Sequence, residues 1–181
     1  VRRHLTASLD LTANVARAFR APSLEERFQF IELGGATYIG AVNLAAEKGT
    51  FLDAGLHLQH ANIVVHATGF LRLMNDLVVD ARISDTLYQK SNVGEARIYG
   101  MELSGEGRVF DDVVGYASAM LVRGEDTGTG TDLPQIPPVQ GRGGIRVPLA
   151  SFATADLSVD FSSDQERVAS GEERTPGSFR V

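Results

Sequence analysis

The 181-residue chain contains neither cysteine nor tryptophan. Without cysteine it can form no disulfide, no thiolate metal site and no cysteine nucleophile. The missing tryptophan removes a residue that commonly marks membrane interfaces, leaving nine Phe and four Tyr for that position. Basic residues are also few: 17 Lys+Arg stand against 23 Asp+Glu, a formal net charge of −6. No basic excess is left to neutralise phosphates, so no nucleic-acid partner is expected. Lys48 and Lys90 lie far apart and the arginines are scattered, which rules out a polybasic patch for anionic lipid. No run of 18 apolar residues occurs, so no spanning helix is expected, and the signal-peptide pattern of a charged segment followed by an apolar one is absent from these residues. None of this bears on a membrane β-barrel, whose alternating strands average to a mean hydropathy near zero; here it is −0.05.

What the sequence does have is alternation of period two. Leu5, Ala7, Leu9, Leu11, Ala13 and Val15 alternate with Thr6, Ser8, Asp10, Thr12 and Asn14, the pattern of a half-buried strand. Leu52, Ala54, Leu56 and Leu58 oppose Asp53, Gly55, His57 and Gln59. After Ala61-Asn62 come Ile63, Val65, Ala67, Leu71 and Leu73, opposed by His66, Thr68 and Arg72. Further runs are read over 93–109, 113–123, 139–148 and 153–162, about eight strands in all, the last one incomplete near the C-terminus. Tight connections are expected at Ala61-Asn62, Phe110-Asp111-Asp112 and Leu149-Ala150-Ser151. Long ones are expected at 18–49, about 81–91, 124–138 and 163–177. Strict alternation of tight and long connections describes an antiparallel up-and-down meander with all its long loops at one end. The strands exceed the usual five or six residues and reach the 9 to 11 that a tilted spanning strand needs.

Five segments in order then resemble one family. The stretch "FRAPSLEERF" (19–28) is similar to the motif that follows an ascending strand in the C-terminal barrel of TonB-dependent outer-membrane receptors. "GAVNLAAEKG" (40–49) resembles the family's Gly-Asn-Pro-x-Leu-x-Pro-Glu segment through Gly40, Leu44 and Glu47, with Ala41-Val42 in place of Asn-Pro and Ala46 in place of the second proline. "NVGEARIYGMELSGEG" (92–107) and "DLPQIPPVQGRGGIRV" (132–147) resemble two later segments, and "TPGSFRV" resembles the start of a late strand.

The resemblance implies an all-β fold, part of a transmembrane barrel of 22 strands, with residues 1–181 forming a partial barrel domain that lacks the plug domain and the final strands. It also implies import of a scarce nutrient across a bacterial outer membrane, by default a ferric siderophore or other metal complex. Energy would come from the TonB complex acting through the plug, with outer-membrane lipid as the second partner. No cofactor and no enzymatic step are expected. The segment 18–49 is then an outer loop in which Pro22 ends the strand ladder, and the candidate ligand contacts are Arg20, Glu25, Arg27, Phe28 and Tyr38. The alternative is a soluble eight-stranded barrel or sandwich binding module, with the apolar faces turned inward.

Other motifs carry less. "DTGTGTD" (126–132) contains an aspartic-protease tripeptide but no second copy to share a proton, and it reads as a loop. His57 and His66 fall opposite each other across the Ala61-Asn62 turn, where two imidazoles about 5 Å apart hold a metal or simply line a wet lumen. An isolated piece of barrel has two unpaired edges and is expected to form either an artificial assembly with another copy or a curved open sheet.

Overall fold

The computed structural model describes residues 1–169 and 171–181; Ser170, inside the expected 163–177 connection, lies outside the described residues. Among the described residues, eleven strands and one short helix follow in chain order: β1 (Arg2–Thr6), β2 (Leu9–Arg20), α1 (Leu24–Phe28), β3 (Phe30–Leu33), β4 (Ala36–Ile39), β5 (Glu47–His60), β6 (Ile63–Ser84), β7 (Leu87–Phe110), β8 (Val113–Asp126), β9 (Gln140–Ala150), β10 (Ala153–Ser162) and β11 (Ser178–Arg180). Nine of them form one antiparallel meander in the order β1-β2-β5-β6-β7-β8-β9-β10-β11. β3 and β4 form a side hairpin, and β4 pairs in parallel with β7. Among the described residues β1 and β11 do not pair with each other, so the sheet is open.

Two expectations need correction. The first alternating run is two strands, not one: the chain turns at Ala7-Ser8, and β1 folds back on β2. Alternation continues through that turn, which hid it. The 81–91 segment is not a long loop either. β6 and β7 stay paired, through a register shift at Arg82/Ser84, up to Ser84↔Leu87 and leave only Asp85-Thr86 as a turn. The asymmetry of the ends survives both changes. Turns at Ala7-Ser8, Ala61-Asn62, Asp111-Asp112 and Ser151-Phe152 lie at one end. At the other end are the α1–β3–β4 excursion, the extended β6–β7 hairpin and the two later loops. Pro148 sits beside the register shift at Ala153/Thr154, where a missing N–H disturbs the ladder least.

Cross-strand register sorts the residues into rows. On one face, His4, Asp10, His57, His66, Ser104, Ser118, Arg142, Asp160 and Arg180 stand opposite one another from β1 to β11. The neighbouring row on the other face reads Leu11, Leu56, Ala67, Leu103, Ala119, Gly141, Phe161 and Phe179. The apolar rows run along β6 from Ile63 to Leu71. At ~3.3 Å per residue that is ~26 Å of strand, or roughly 20 Å of height at a tilt near 40°, close to the ~25 Å apolar band of an outer-membrane barrel. Beyond it the outer face becomes charged, with Arg97 paired to Glu125 and Arg97 also lying 5.7 Å from the ring of Tyr99, an aromatic at the interface.

Among the described residues, no protein layer covers these apolar rows. The buried apolar residues described are Leu44, Ala96 and Leu133, none of them in the rows, while Val15 is 69% exposed and Leu157 60%. A soluble sandwich buries such faces against a second sheet. That packing is not present here, and the soluble alternative loses its basis.

Consecutive residues of β6 test the assignment of faces. Ala67 lies in an apolar row between Leu56 and Leu103, whereas Thr68 faces the lumen beside Glu102. In the whole barrel, Ala67→Lys is expected to cost ~2–4 kcal/mol and to reduce the folded band seen before heating in gel electrophoresis. Thr68→Lys is expected to leave that band unchanged. Equal loss in both variants would contradict the two-face assignment.

Candidate functional site

The excursion between β2 and β5 is built around Arg20. Its Nε donates to Glu47 Oε2 at 2.6 Å, and its two terminal nitrogens donate to the two Glu26 oxygens at 2.8 and 2.9 Å. Glu26 also closes a capping box on α1. Ser23 Oγ accepts from the Glu26 N–H at 3.1 Å, and Glu26 Oε2 accepts from the Ser23 N–H at 2.7 Å. Glu47 is buried, and its second oxygen accepts from the Val78 N–H of β6 at 2.8 Å. Three separate segments of chain are thereby tied to one guanidinium.

Electrostatics follow from the geometry. The Arg20 guanidinium holds the Glu26 carboxyl down at about 2, against a smaller opposing effect of burial. For Glu47, burial pushes upward, but the Arg20 bond and the Val78 N–H together keep the carboxyl below its ordinary range. Arg20 itself is raised, first by Glu47 and then by Glu26.

The three residues that carry the 40–49 resemblance pack here. Gly40 N–H donates to the Gln29 carbonyl at 2.9 Å, and a Cβ at Gly40 would lie 2.5 Å from the Arg27 carbonyl carbon. Leu44 and Glu47 are both buried. Asn92, which opens the third resembling segment, clips the loop from β7: its Oδ1 accepts from the Ala45 N–H at 2.8 Å, and its Nδ2 donates to the carbonyls of Ala45 at 3.3 Å and Asp76 at 2.5 Å. Gly34 and Gly35 adopt φ of 61° and 82°, the left-handed pair that a two-residue β3–β4 turn needs.

The candidate contacts divide accordingly. Arg20 is engaged in the clamp. Tyr38 stacks on Tyr88 with ring centroids 5.0 Å apart, at the point where β4 joins β7. Glu25 and Phe28 are exposed, and Arg27 is half-buried. Among the described residues, no side-chain hydrogen bond, ion pair or ring stack joins any two of these five. Asp126 folds its own loop by accepting the N–H groups of Gly128 and Thr129 at 2.8 and 3.1 Å, as the loop reading of that motif expects.

The lumen face carries a polar surface that the alternation implied but did not specify. Arg72 bonds Asp53 at 2.6 Å and lies 5.2 Å from the rings of both Phe51 and Phe70. An open groove of about 580 Å³ is lined by His66, Glu102, Ser118, Arg142, Asp160 and Arg180 among others. His57 and His66 are direct cross-strand partners, as expected, with their Nδ1 atoms 3.0 Å apart.

Comparison with known proteins adds the following. A family model described as TonB dependent receptor-like, beta-barrel matches residues 3–181. The heme/hemopexin utilization protein C of Haemophilus influenzae (strain 86-028NP) is 32% identical over 127 residues, covering 56% of this chain and 18% of that protein. Of solved structures, the copper transporter OprC aligns with a TM-score of 0.86 at 24% identity, over 98% of this chain and 29% of that one. A ferric enterobactin receptor (PfeA) from Pseudomonas aeruginosa aligns at 0.75 and 18% identity, over 98% and 30%. The ferric yersiniabactin uptake receptor FyuA from Yersinia pestis aligns at 0.68 and 16%, over 98% and 27%. The chain thus spans less than a third of the length of each of these proteins.

Arg20→Ala removes the clamp and leaves Glu47 buried with one N–H partner. The expected loss is ~2 kcal/mol of local stability, read as a roughly 30-fold rise in amide exchange across residues 21–46 at pH 7. Because both carboxyls titrate below their unfolded value near 4.5, their stabilisation is complete above that pH and is lost as pH falls toward about 2. Exchange in the wild-type loop is therefore expected to rise over the same interval. A loop indifferent to both changes would show that the clamp does not hold it.

Proposed function

Because the chain belongs to the TonB-dependent receptor-like β-barrel family, we propose that it forms part of the wall and one outer loop of a receptor that imports a scarce nutrient across a bacterial outer membrane. The observation that carries this reading is the one-layer sheet, apolar and uncovered on one face and polar on the other. Lipid meets the first face; a water-filled lumen and plug meet the second. Transport of this kind requires no covalent step from the wall. Its energy would come from the TonB complex through a plug domain, with which this segment has only lumen contacts to offer.

A metal complex is the proposed substrate class. In support, the relatives and neighbours above are named for haem utilization, copper transport and ferric enterobactin or yersiniabactin uptake. Glu25 and Phe28 on the exposed side of the loop and the half-buried Arg27 beside them are the proposed ligand contacts, with Tyr38 at the base of the loop and Arg20 holding the loop in position.

Uptake of radiolabelled ferric siderophores and of haemin into cells dependent on the whole receptor tests this. One of these complexes is expected to accumulate, and a protonophore is expected to abolish accumulation. Phe28→Ala and Arg27→Ala are expected to raise the half-saturating concentration ~10-fold at unchanged receptor abundance. Accumulation that ignores the protonophore would contradict energy coupling, and failure of every metal complex tested would contradict the substrate class.

A further inference from the structure

His57 on β5 and His66 on β6 face the lumen as direct cross-strand partners. Their ring centroids are 4.3 Å apart at an interplanar angle of 37°, and their Nδ1 atoms approach to 3.0 Å. Two imidazole nitrogens this close are satisfied either by one proton between them or by one metal ion bonded to both. The spacing bears on the second possibility. With metal–nitrogen bonds of ~2.05 Å, two ligands at right angles lie about 2.9 Å apart, and two at a tetrahedral angle about 3.4 Å. The observed separation is close to the right-angle value.

The surroundings define what else such an ion would meet. Asp10, next along the row, is engaged by Arg2 and His4, so it adds no free carboxylate. The adjoining cavity of about 320 Å³ is lined by Arg2, whose guanidinium is paired with Asp10, and by Thr12, Gly55, Leu56 and Thr68; a Cβ at Gly55 would lie 2.7 Å from the Thr12 hydroxyl. Among the described residues, no third His, Cys, Asp or Glu converges to close the site. The remaining coordination positions are therefore left to water or to oxygen atoms of an incoming chelate.

We propose that His57 and His66 form an exchangeable two-imidazole site for a divalent transition metal on the lumen wall, their spacing fitting two adjacent ligands of one ion. Affinity order follows from ligand type, since imidazole sites bind Cu(II) more tightly than Ni(II) or Zn(II). Two protein ligands make a site that takes up and releases its ion, not one that holds a permanent structural metal.

The test uses the purified whole receptor in detergent, with Cu(II) alone as the probe, and does not depend on any transport reading. The expected result is one equivalent bound with roughly micromolar affinity and a paramagnetic resonance spectrum showing two imidazole nitrogens. His57→Ala and His66→Ala are each expected to weaken that binding at least ~10-fold and to remove the two-nitrogen signal, while the heat-modifiable folded band remains. His60→Ala, at the end of the same strand, serves as the control and is expected to bind as wild type. Wild-type affinity in folded His57→Ala receptor, or no Cu(II) bound below ~1 mM, would overturn the proposal and leave a shared proton between the rings.

Discussion

Every part of this structure depends on lateral pairing of backbone N–H and C=O groups. In hydrocarbon there is no water to satisfy these groups, so a spanning strand must find its partners in neighbouring strands. The ladder between β6 and β7 shows the consequence. It runs from Ile63↔Gly107 to Asn75↔Glu95, resumes at Leu77↔Val93 and continues beyond the apolar belt, through a register shift at Arg82/Ser84, to Ser84↔Leu87. Because pairing fixes each residue's neighbours, it also fixes the faces. A slip of one residue would carry Asp53, His57 and Arg72 into lipid. The edges β1 and β11 keep unpaired sides among the described residues, which suits a section of a larger wall and not a closed body.

Outside the belt the source of stability changes. Water can satisfy any unpaired backbone group there, and the excursion between β2 and β5 is held by charge and close approach as well as by the β3–β4–β7 pairing. Arg20, Glu26 and Glu47 join the end of β2, the helix α1 and the start of β5, and the Val78 N–H ties the same carboxylate to β6. Gly40 lets the returning chain lie against the end of α1, and Asn92 bonds the Ala45 backbone from the far side. A loop fixed at its base in this way can present Glu25 and Phe28 to solvent without moving the wall beneath them.

Much of the wall was legible in the sequence because lipid and lumen impose a strict period of two. Leu52 to Leu58 and Ala153 to Phe161 could be assigned a face from their alternation, and the His57–His66 pairing followed from the length of one turn. The Ala7-Ser8 turn was not legible, since an apolar and a polar residue continue the alternation straight through it. Nor was the 81–91 hairpin: above the belt both faces are wet, so Asp80, Arg82 and Lys90 carry no periodic signal although the backbone remains paired. Arg20 reads from the sequence as part of the loop and as a candidate ligand contact. The signal for the bonds it makes within the protein is local, a Ser23–Glu26 capping box with a cation three residues upstream, combined with Glu47 in a segment that resembles the family.

Site-directed spin labelling along β6 tests the central claim most directly, and the lack of cysteine in this stretch allows single labels from position 63 to 73. In the whole receptor reconstituted into lipid, labels at 63, 65, 67, 69 and 71 should collide with oxygen dissolved in the bilayer. Labels at 64, 66, 68, 70 and 72 should instead respond to a water-soluble nickel chelate or be shielded by the plug. Odd-numbered labels shielded from both reagents would mean that the apolar face is packed against protein, and the wall described here would not exist.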